Sequence, residues 1–357
     1  MKALRNIAFC FEDFSVGAAS QQLLDRFLLG YPRDGQFHRL DGCGIVVHLP
    51  AHGGEIELAR RVTDHGLKRG LSLEGAIFES DAIAVVWAGS GAVANDSLLK
   101  EIVAQADSGT PIFICGPLAT TLENGQEILR VAAMRKVPLL AGTPIAVASR
   151  LPDFELPRGL AIKNALVVVQ GKSPAAELDA LEILLPMIGG RRGGESGVRR
   201  IQFLAGETLW RAGDRGDWSW PLLAAALSRS DTPQGDALKD GRTQDLVGLG
   251  LVPTLAREPR GWLLEHRDGL RSTILVLDGV VADCNFAVQS SGGATQSAQV
   301  FQPPPPENHN FSRLAAVIED FFRTGKPPWP ASRSLLEADL LATIKKAARR
   351  TGQWTEL

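Results

Sequence analysis

Along the first third of the chain, short unbroken apolar runs alternate with stretches whose apolar residues recur every three or four positions. The runs IAFCF (7–11), GIVVHL (44–49), AIAVVWA (82–88), PIFIC (111–115) and PLLAG (138–142) predict strands. Between them, 17–29, 55–68, 95–106 and 122–136 predict helices. Continuous Val, Ile and Leu, rather than strict alternation, indicates strands covered on both faces. Helices crossing over between such strands make the sheet parallel and doubly wound. Residues 1–145 are therefore expected to form an α/β, Rossmann-type domain.

The pattern then changes. A strand over 160–171 leads into a helix over 174–188 and the glycine-rich loop GGRRGGESG (189–197). Trp210, Trp218 and Trp220 follow closely. The run WLLEHRDGLRSTILVLDGVVADCNFAV (262–288) reads as period-two strands turning at Asp268-Gly269 and Asp278-Gly279. QPPPPE (302–307) breaks regular structure before helices at 311–324 and 332–350. Residues 146–357 are expected to form an α+β domain with an open, largely antiparallel sheet.

The whole chain has 357 residues, 45% hydrophobic and 22% charged, which suits two globular domains with real cores. Net charge is -2, so the clustered positive charge that nucleic acid requires is missing. No apolar run approaches membrane-spanning length. Met1 leads straight into a strand with no secretory pattern, and Cys10, Cys43, Cys115 and Cys284 are scattered, none in C-x-x-C. These features predict a cytoplasmic protein with reduced core thiols and no metal site.

The first strand-to-helix turn departs from dinucleotide binding. G-x-G-x-x-G is expected there, so that bare backbone closes on a pyrophosphate. This chain has Glu12, Asp13, Phe14 and Ser15 before the single Gly17. Two carboxylates stand where a doubly negative group would sit.

At 114–142 the sequence ICGPLATTLENGQEILRVAAMRKVPLLAG resembles the E-K-P-L-A strand–turn–helix signature of the Gfo/Idh/MocA oxidoreductase family. DAIAVVWAGS (81–90) resembles the family's preceding strand, and 311–353 its closing helices, so the resemblance spans most of the chain. It implies a Rossmann domain holding NAD(P), then an open-faced sheet domain that holds a sugar-like substrate and often mediates oligomers. It also implies a lysine in E-K-P that orients the substrate hydroxyl and a histidine that moves its proton.

Carried over residue by residue, the lysine position holds Gly116, followed by Pro117. The histidine position holds Asp179, with Glu182 one turn on, and no histidine lies between His65 and His266. The loop expected to contact cofactor is Ala88-Gly89-Ser90-Gly91-Ala92, which reads equally as a tight turn. The ribose acid is absent from His48-Leu49-Pro50-Ala51-His52. Losing a positioned acid–base group costs on the order of 10²–10⁴ in rate. Four losses together predict a degenerate NAD(P) site, no bound cofactor, and a non-catalytic or altered subunit in a homo- or hetero-oligomer, paired with an active homologue. The alternative is a working enzyme on a sugar or cyclitol, through NAD(P) or by cofactor-independent chemistry on Asp179, Glu182 and Lys172. Gly17, Gly89, Ser90, Gly116 and Pro117 are the positional equivalents of the family's cofactor-binding residues, functional only on the NAD(P) alternative.

Other features have plainer readings. Glu177, Asp179 and Glu182 read best as an exposed acidic helix face. His266-Arg267-Asp268 reads as a turn. Asn308, His309 and Asn310 read as a helix start capped by Asn310 or Ser312. The tryptophan cluster reads as core or interface rather than a sugar platform.

Overall fold

The computed structural model describes residues 3–49, 55–87, 93–153, 155–171, 175–231, 245–303 and 308–357. The chain divides into two compact units, 1–147 with 303–339, and 148–302 with 340–357. The first boundary falls near 145, but a cut into 1–145 and 146–357 leaves out the return of 303–339 to the first unit.

Along the chain run β1 (Asn6–Phe11), α1 (Ala19–Leu29), β2 (Tyr31–Arg33), β3 (Gln36–His38), β4 (Gly44–His48), α2 (Glu55–His65) and β5 (Lys68–Arg69). Next come α3 (Leu73–Phe78), β6 (Ala82–Val86), α4 (Asp96–Gln105), β7 (Ile112–Cys115), α5 (Leu122–Arg135) and β8 (Leu139–Gly142). Then follow β9 (Arg150–Leu151), β10 (Ile162–Val169), α6 (Ala176–Gly189), β11 (Val198–Ala205), α7 (Glu207–Asp214), α8 (Trp220–Leu227) and α9 (Val252–Leu255). The chain closes with β12 (Arg257–His266), β13 (Arg271–Asp278), β14 (Cys284–Ser290), β15 (Thr295–Val300), α10 (His309–Thr324), α11 (Ala331–Ala347) and β16 (Trp354–Glu356).

In the first unit the sheet order is β5-β4-β1-β6-β7-β8, with every pair parallel. The order reverses between β1 and β6, and in open α/β sheets ligands bind outside the carboxyl ends of the strands at such a point. Phe9, Phe11, Phe14 and Phe27 pack one sheet face against Phe321 and Phe322 of α10. Cys10, Ile83, Val85, Ile112 and Ile114 pack the other beneath α4 and α5. Alternate residues of each strand thus enter two different cores, as the unbroken apolar runs require.

α10 is the late element that completes the first core. Its cap is Asn308, in a left-handed conformation and without a side-chain cap bond, rather than Asn310 or Ser312. Those two are buried inside the first turns, where Ser312 Oγ accepts from Arg26 Nε at 3.2 Å. The β2–β3 hairpin holds α10 through Glu319. Its Oε2 accepts from the Tyr31 hydroxyl at 2.7 Å and lies 2.7 Å from His38 Nε2, while Oε1 takes Arg323 at 2.8 Å.

The second unit carries a mixed sheet in the order β16-β11-β12-β13-β10-β14-β15-β9, antiparallel except for the β10–β13 pair. Both Asp-Gly turns are present, with Gly269 at φ 89° and Gly279 at φ 84°. The sheet does not close into a barrel. Its strand order leaves two edges, so the sheet is open as expected; α6 packs β10, β13 and β14, while α7 and α8 cover the row Leu166, Val168, Leu204, Leu263, Leu275 and Leu277. Trp210, Trp218 and Trp220 fill this second layer, with Trp218 and Trp220 ring centres 4.5 Å apart. Trp210 and Trp218 are core, and Trp220 is half-buried against it.

Candidate functional site

The β1–α1 turn lies at the switch point of the parallel sheet, and its own side chains occupy it. Phe14 is fully buried, edge-on to Phe11 at 5.3 Å between ring centres. The Arg61 guanidinium of α2 covers the Phe14 ring at 5.1 Å. Arg61 is itself held by Asp25 at 2.7 and 3.0 Å. Asp25 also accepts from Gln21 Nε2 at 3.0 Å, and Gln21 Oε1 accepts the Gly17 N–H at 2.6 Å. One continuous network therefore runs from the backbone amide of Gly17 to a guanidinium on α2. Gly17 takes φ 84° with open space at its Cβ position, so the turn needs it for conformation and not for packing.

Glu12 closes the other side of the turn. Its carboxylate accepts from Asn95 Nδ2 at 2.6 Å, and Asn95 Oδ1 caps α4 by accepting the Leu98 N–H at 3.1 Å. The acid thus bridges the two elements that flank the switch point. Asp13 and Ser15 bond each other at 3.4 Å.

Gly116 and Pro117 sit at the end of β7 in buried backbone. Gly116 takes φ 123° and donates its N–H to Gly142 at 3.3 Å. The Pro117 carbonyl accepts from the indole of Trp87, itself 1% exposed, at 3.0 Å. This turn is a sealed joint between β6, β7 and β8. His48, where β4 ends, is half-buried, and burial lowers its pKa. Gly89, Ser90 and the stretch 50–54 lie outside the described residues.

α6 is apolar nearly all round, so it is buried on most of its surface. Glu182 is 1% exposed, which corrects its reading as part of a solvated acidic face. Asp179 and Glu177 are half-buried, and Glu177 Oε1 lies 3.8 Å from Arg260. Asp179 is near enough to Cys284 to help burial push that thiol's pKa up. Asp179 and Glu182 are one turn apart on α6, whereas Lys172 lies outside the described residues. Among the described residues no group of three His, Cys, Asp or Glu side chains is placed to hold a metal.

His266-Arg267-Asp268 forms the β12–β13 turn. His266 Nε2 lies 2.8 Å from Ser272 Oγ, and its Nδ1 lies 3.8 Å from Glu195. The order of groups is that of a nucleophile triad, but Ser272 is 1% and His266 3% exposed, so no substrate reaches them. Arg191, joined to Asp268 at 2.7 Å and Glu195 at 3.2 Å, makes this a strut between the glycine-rich loop and the turn.

No family model matches the sequence, and no curated protein matches it. Solved structures do. GenD2 from gentamicin A biosynthesis, in complex with NAD, superposes with TM-score 0.62 at 12% identity, over 100% of this chain and 97% of its own. The myo-inositol dehydrogenase of Lactobacillus casei, in complex with NAD(H) and myo-inositol, gives 0.60 at 14% identity over 98% and 96%. A probable dehydrogenase from Thermotoga maritima gives 0.58 at 12% over 98% and 98%. The fold is that of the Gfo/Idh/MocA oxidoreductases. Within that architecture, sequence reasoning found the charge of the β1–α1 turn but missed Gln21, Trp87 and the contacts of Arg61 with Asp25 and Phe14. Gln21 stands four residues after Gly17, one helical turn, which is the single sequence signal for its role.

No described helix is long and apolar enough to cross a membrane.

Proposed function

We propose that this chain is a non-oxidoreducing protein of Gfo/Idh/MocA architecture, acting as a non-catalytic or altered subunit beside an active homologue. The observation that carries the reading is the self-satisfied β1–α1 turn, in which Gln21 holds the Gly17 N–H and Phe14 fills the bend. A dinucleotide diphosphate would have to displace Gln21 and lie beside Glu12 and Asp13. Hydrogen bonds to a charged group are worth roughly 1.5–3 kcal/mol each. Forgoing two weakens binding by about two to four powers of ten. The residues present at this turn do not fit the diphosphate, and Gly116 supplies no cation for a substrate hydroxyl.

Oligomer formation belongs to the same proposal, with a change of surface. The central strands of the second sheet are already covered by α6, α7 and α8, so a partner is expected on an edge or a helix surface.

Titration with NADH and NADPH, followed by energy transfer from the seven tryptophans, tests the reading. No transfer up to about 1 mM is expected, and saturation in the micromolar range, about -8 kcal/mol, would overturn it. Purification from the native host with no homologous chain attached would remove the pairing.

A second reading rests on the full-length likeness to structures bound to NAD, one also to myo-inositol. On it, the chain turns over a sugar or cyclitol using Asp179 and Glu182. Asp179→Asn then abolishes turnover, and unchanged activity rejects it.

A further inference from the structure

The face of the second sheet beneath α7 and α8 is not apolar throughout. Alternate residues run Leu166–Val168 along β10 and Leu275–Leu277 along β13, all in the core. Continuing each row backwards by two residues reaches Asn164 on β10, and Thr273 then Arg271 on β13. Register places Asn164 opposite Arg271 and Leu166 opposite Thr273. The polar rung extends across the sheet, with Arg271 opposite Glu265, Glu265 opposite Arg200, and Arg200 opposite Glu356.

This rung is unbalanced at one end. Glu265 stands directly across from Arg271, yet its carboxylate takes Arg200 at 2.7 and 2.9 Å and Arg199 at 2.6 Å. The Arg271 guanidinium has no hydrogen bond or ion pair with a described residue. Asn164 gives its Nδ2 to Gln289 at 3.0 Å, and its Oδ1 takes no hydrogen bond from a described residue. Asn164, Arg271 and Thr273 line a cavity of about 260 Å³ that Trp218 and Trp220 also line. Asp217 also lines it, but its carboxylate is held by Arg215 at 2.7 Å. Gly213 keeps the wall in place: a Cβ there would stand 2.6 Å from the Trp218 ring and 2.7 Å from Trp220 Nε1.

We propose that this cavity is a ligand site for a small organic acid, a six-membered ring bearing one carboxylate. A guanidinium without a partner offers a planar fork matched to a carboxylate. Indole surfaces favour the flat or apolar face of a ring. The volume lies just below the range for drug-sized ligands, which fits a molecule of monosaccharide size. The site is built within the second unit alone, on the sheet face away from α6, and is independent of the reading of the β1–α1 turn.

The probes are benzoate and D-glucuronate, with benzyl alcohol and D-glucose as neutral counterparts. Binding is read from the ¹⁵N-labelled indole N–H resonances, with Trp218 and Trp220 assigned by Trp218→Phe and Trp220→Phe. At least one acid is expected to shift both resonances saturably below 10 mM, at least tenfold more tightly than its neutral counterpart. Arg271→Met should weaken it at least tenfold while leaving the other indole resonances in place, and Arg271→Lys should restore part of the loss. Benzoate alone would identify an aromatic acid, and glucuronate alone a sugar acid. No saturation by either acid, equal binding of the neutral probes, or unchanged affinity in Arg271→Met would overturn the proposal.

Discussion

The carboxyl edge of the parallel sheet and the polar end of the mixed sheet hold similar groups and use them in opposite ways. At the β1–α1 turn, Gly17, Gln21, Asp25 and Arg61 close into one network, and Glu12 is taken by Asn95. At the start of β10 and β13, Glu265 turns to Arg200 and leaves Arg271 beside an aromatic wall. The first place is where the architecture leads one to look for a ligand, and the second is where uncommitted groups remain. Fold names the location of a site in related proteins, whereas the donors left over decide whether one works here.

The largest expected effect separates core from binding loop. If Phe14 belongs to the core, Phe14→Ala costs about 3–5 kcal/mol in urea unfolding, as burial of a whole aromatic ring requires. A cost under about 1 kcal/mol would mean that the turn is an open loop and would break the contrast. Gly213→Ala comes next. The added methyl must move Trp218, so about 1–3 kcal/mol is expected, with perturbed Trp218 and Trp220 indole resonances. An unperturbed variant would show that the cavity wall is loose.

Acid should weaken both units through carboxylates held by several donors, Glu195 in the second and the buried Glu319 in the first. Burial alone would raise the Glu195 pKa, but facing His266, Arg191 and the Gly197 amide outweigh it and hold it at about 2. For Glu319, burial is likewise outweighed by hydrogen bonds from Tyr31, Arg323 and His38, leaving it below the ordinary range. Both folded pKa values are depressed, so this stability is present above about pH 4.5, the unfolded value. It is lost as pH falls toward 2. Urea midpoints from pH 6 to pH 3 should fall, and Glu195→Gln should fall less steeply. Equal slopes would remove Glu195 from the account. The smallest effect is Arg271→Met on stability, within about 0.5 kcal/mol, because an exposed cation without a partner holds nothing together. A larger loss would mean that Arg271 is structural, which would sharpen the contrast in the other direction.

Much of the architecture was legible along the chain because buried strands and amphipathic helices carry local periods. β1, β4, β6, β7 and β8 fall within a residue or two of the apolar runs, and both Asp-Gly turns lie where the pattern puts them. The short β2–β3 hairpin, α3 and β16 were not legible, since elements of three to six residues are too short to show a period. Glu182 misled because a carboxylate on a helix reads as solvated, and only packing reveals that α6 is covered nearly all round.

By itself the sequence determined the order of elements, the acidic character of the first turn and the absence of a lysine at Gly116. Those are properties of adjacent residues and of spacing. Only the tertiary structure decided that α10 completes the first core, that Gln21 and Phe14 close the turn, and that Arg271 is left without an acid. Each of these depends on which of several distant groups a side chain meets. Glu265 faces both Arg200 and Arg271 across the sheet, and the sequence holds no record of which one it chose.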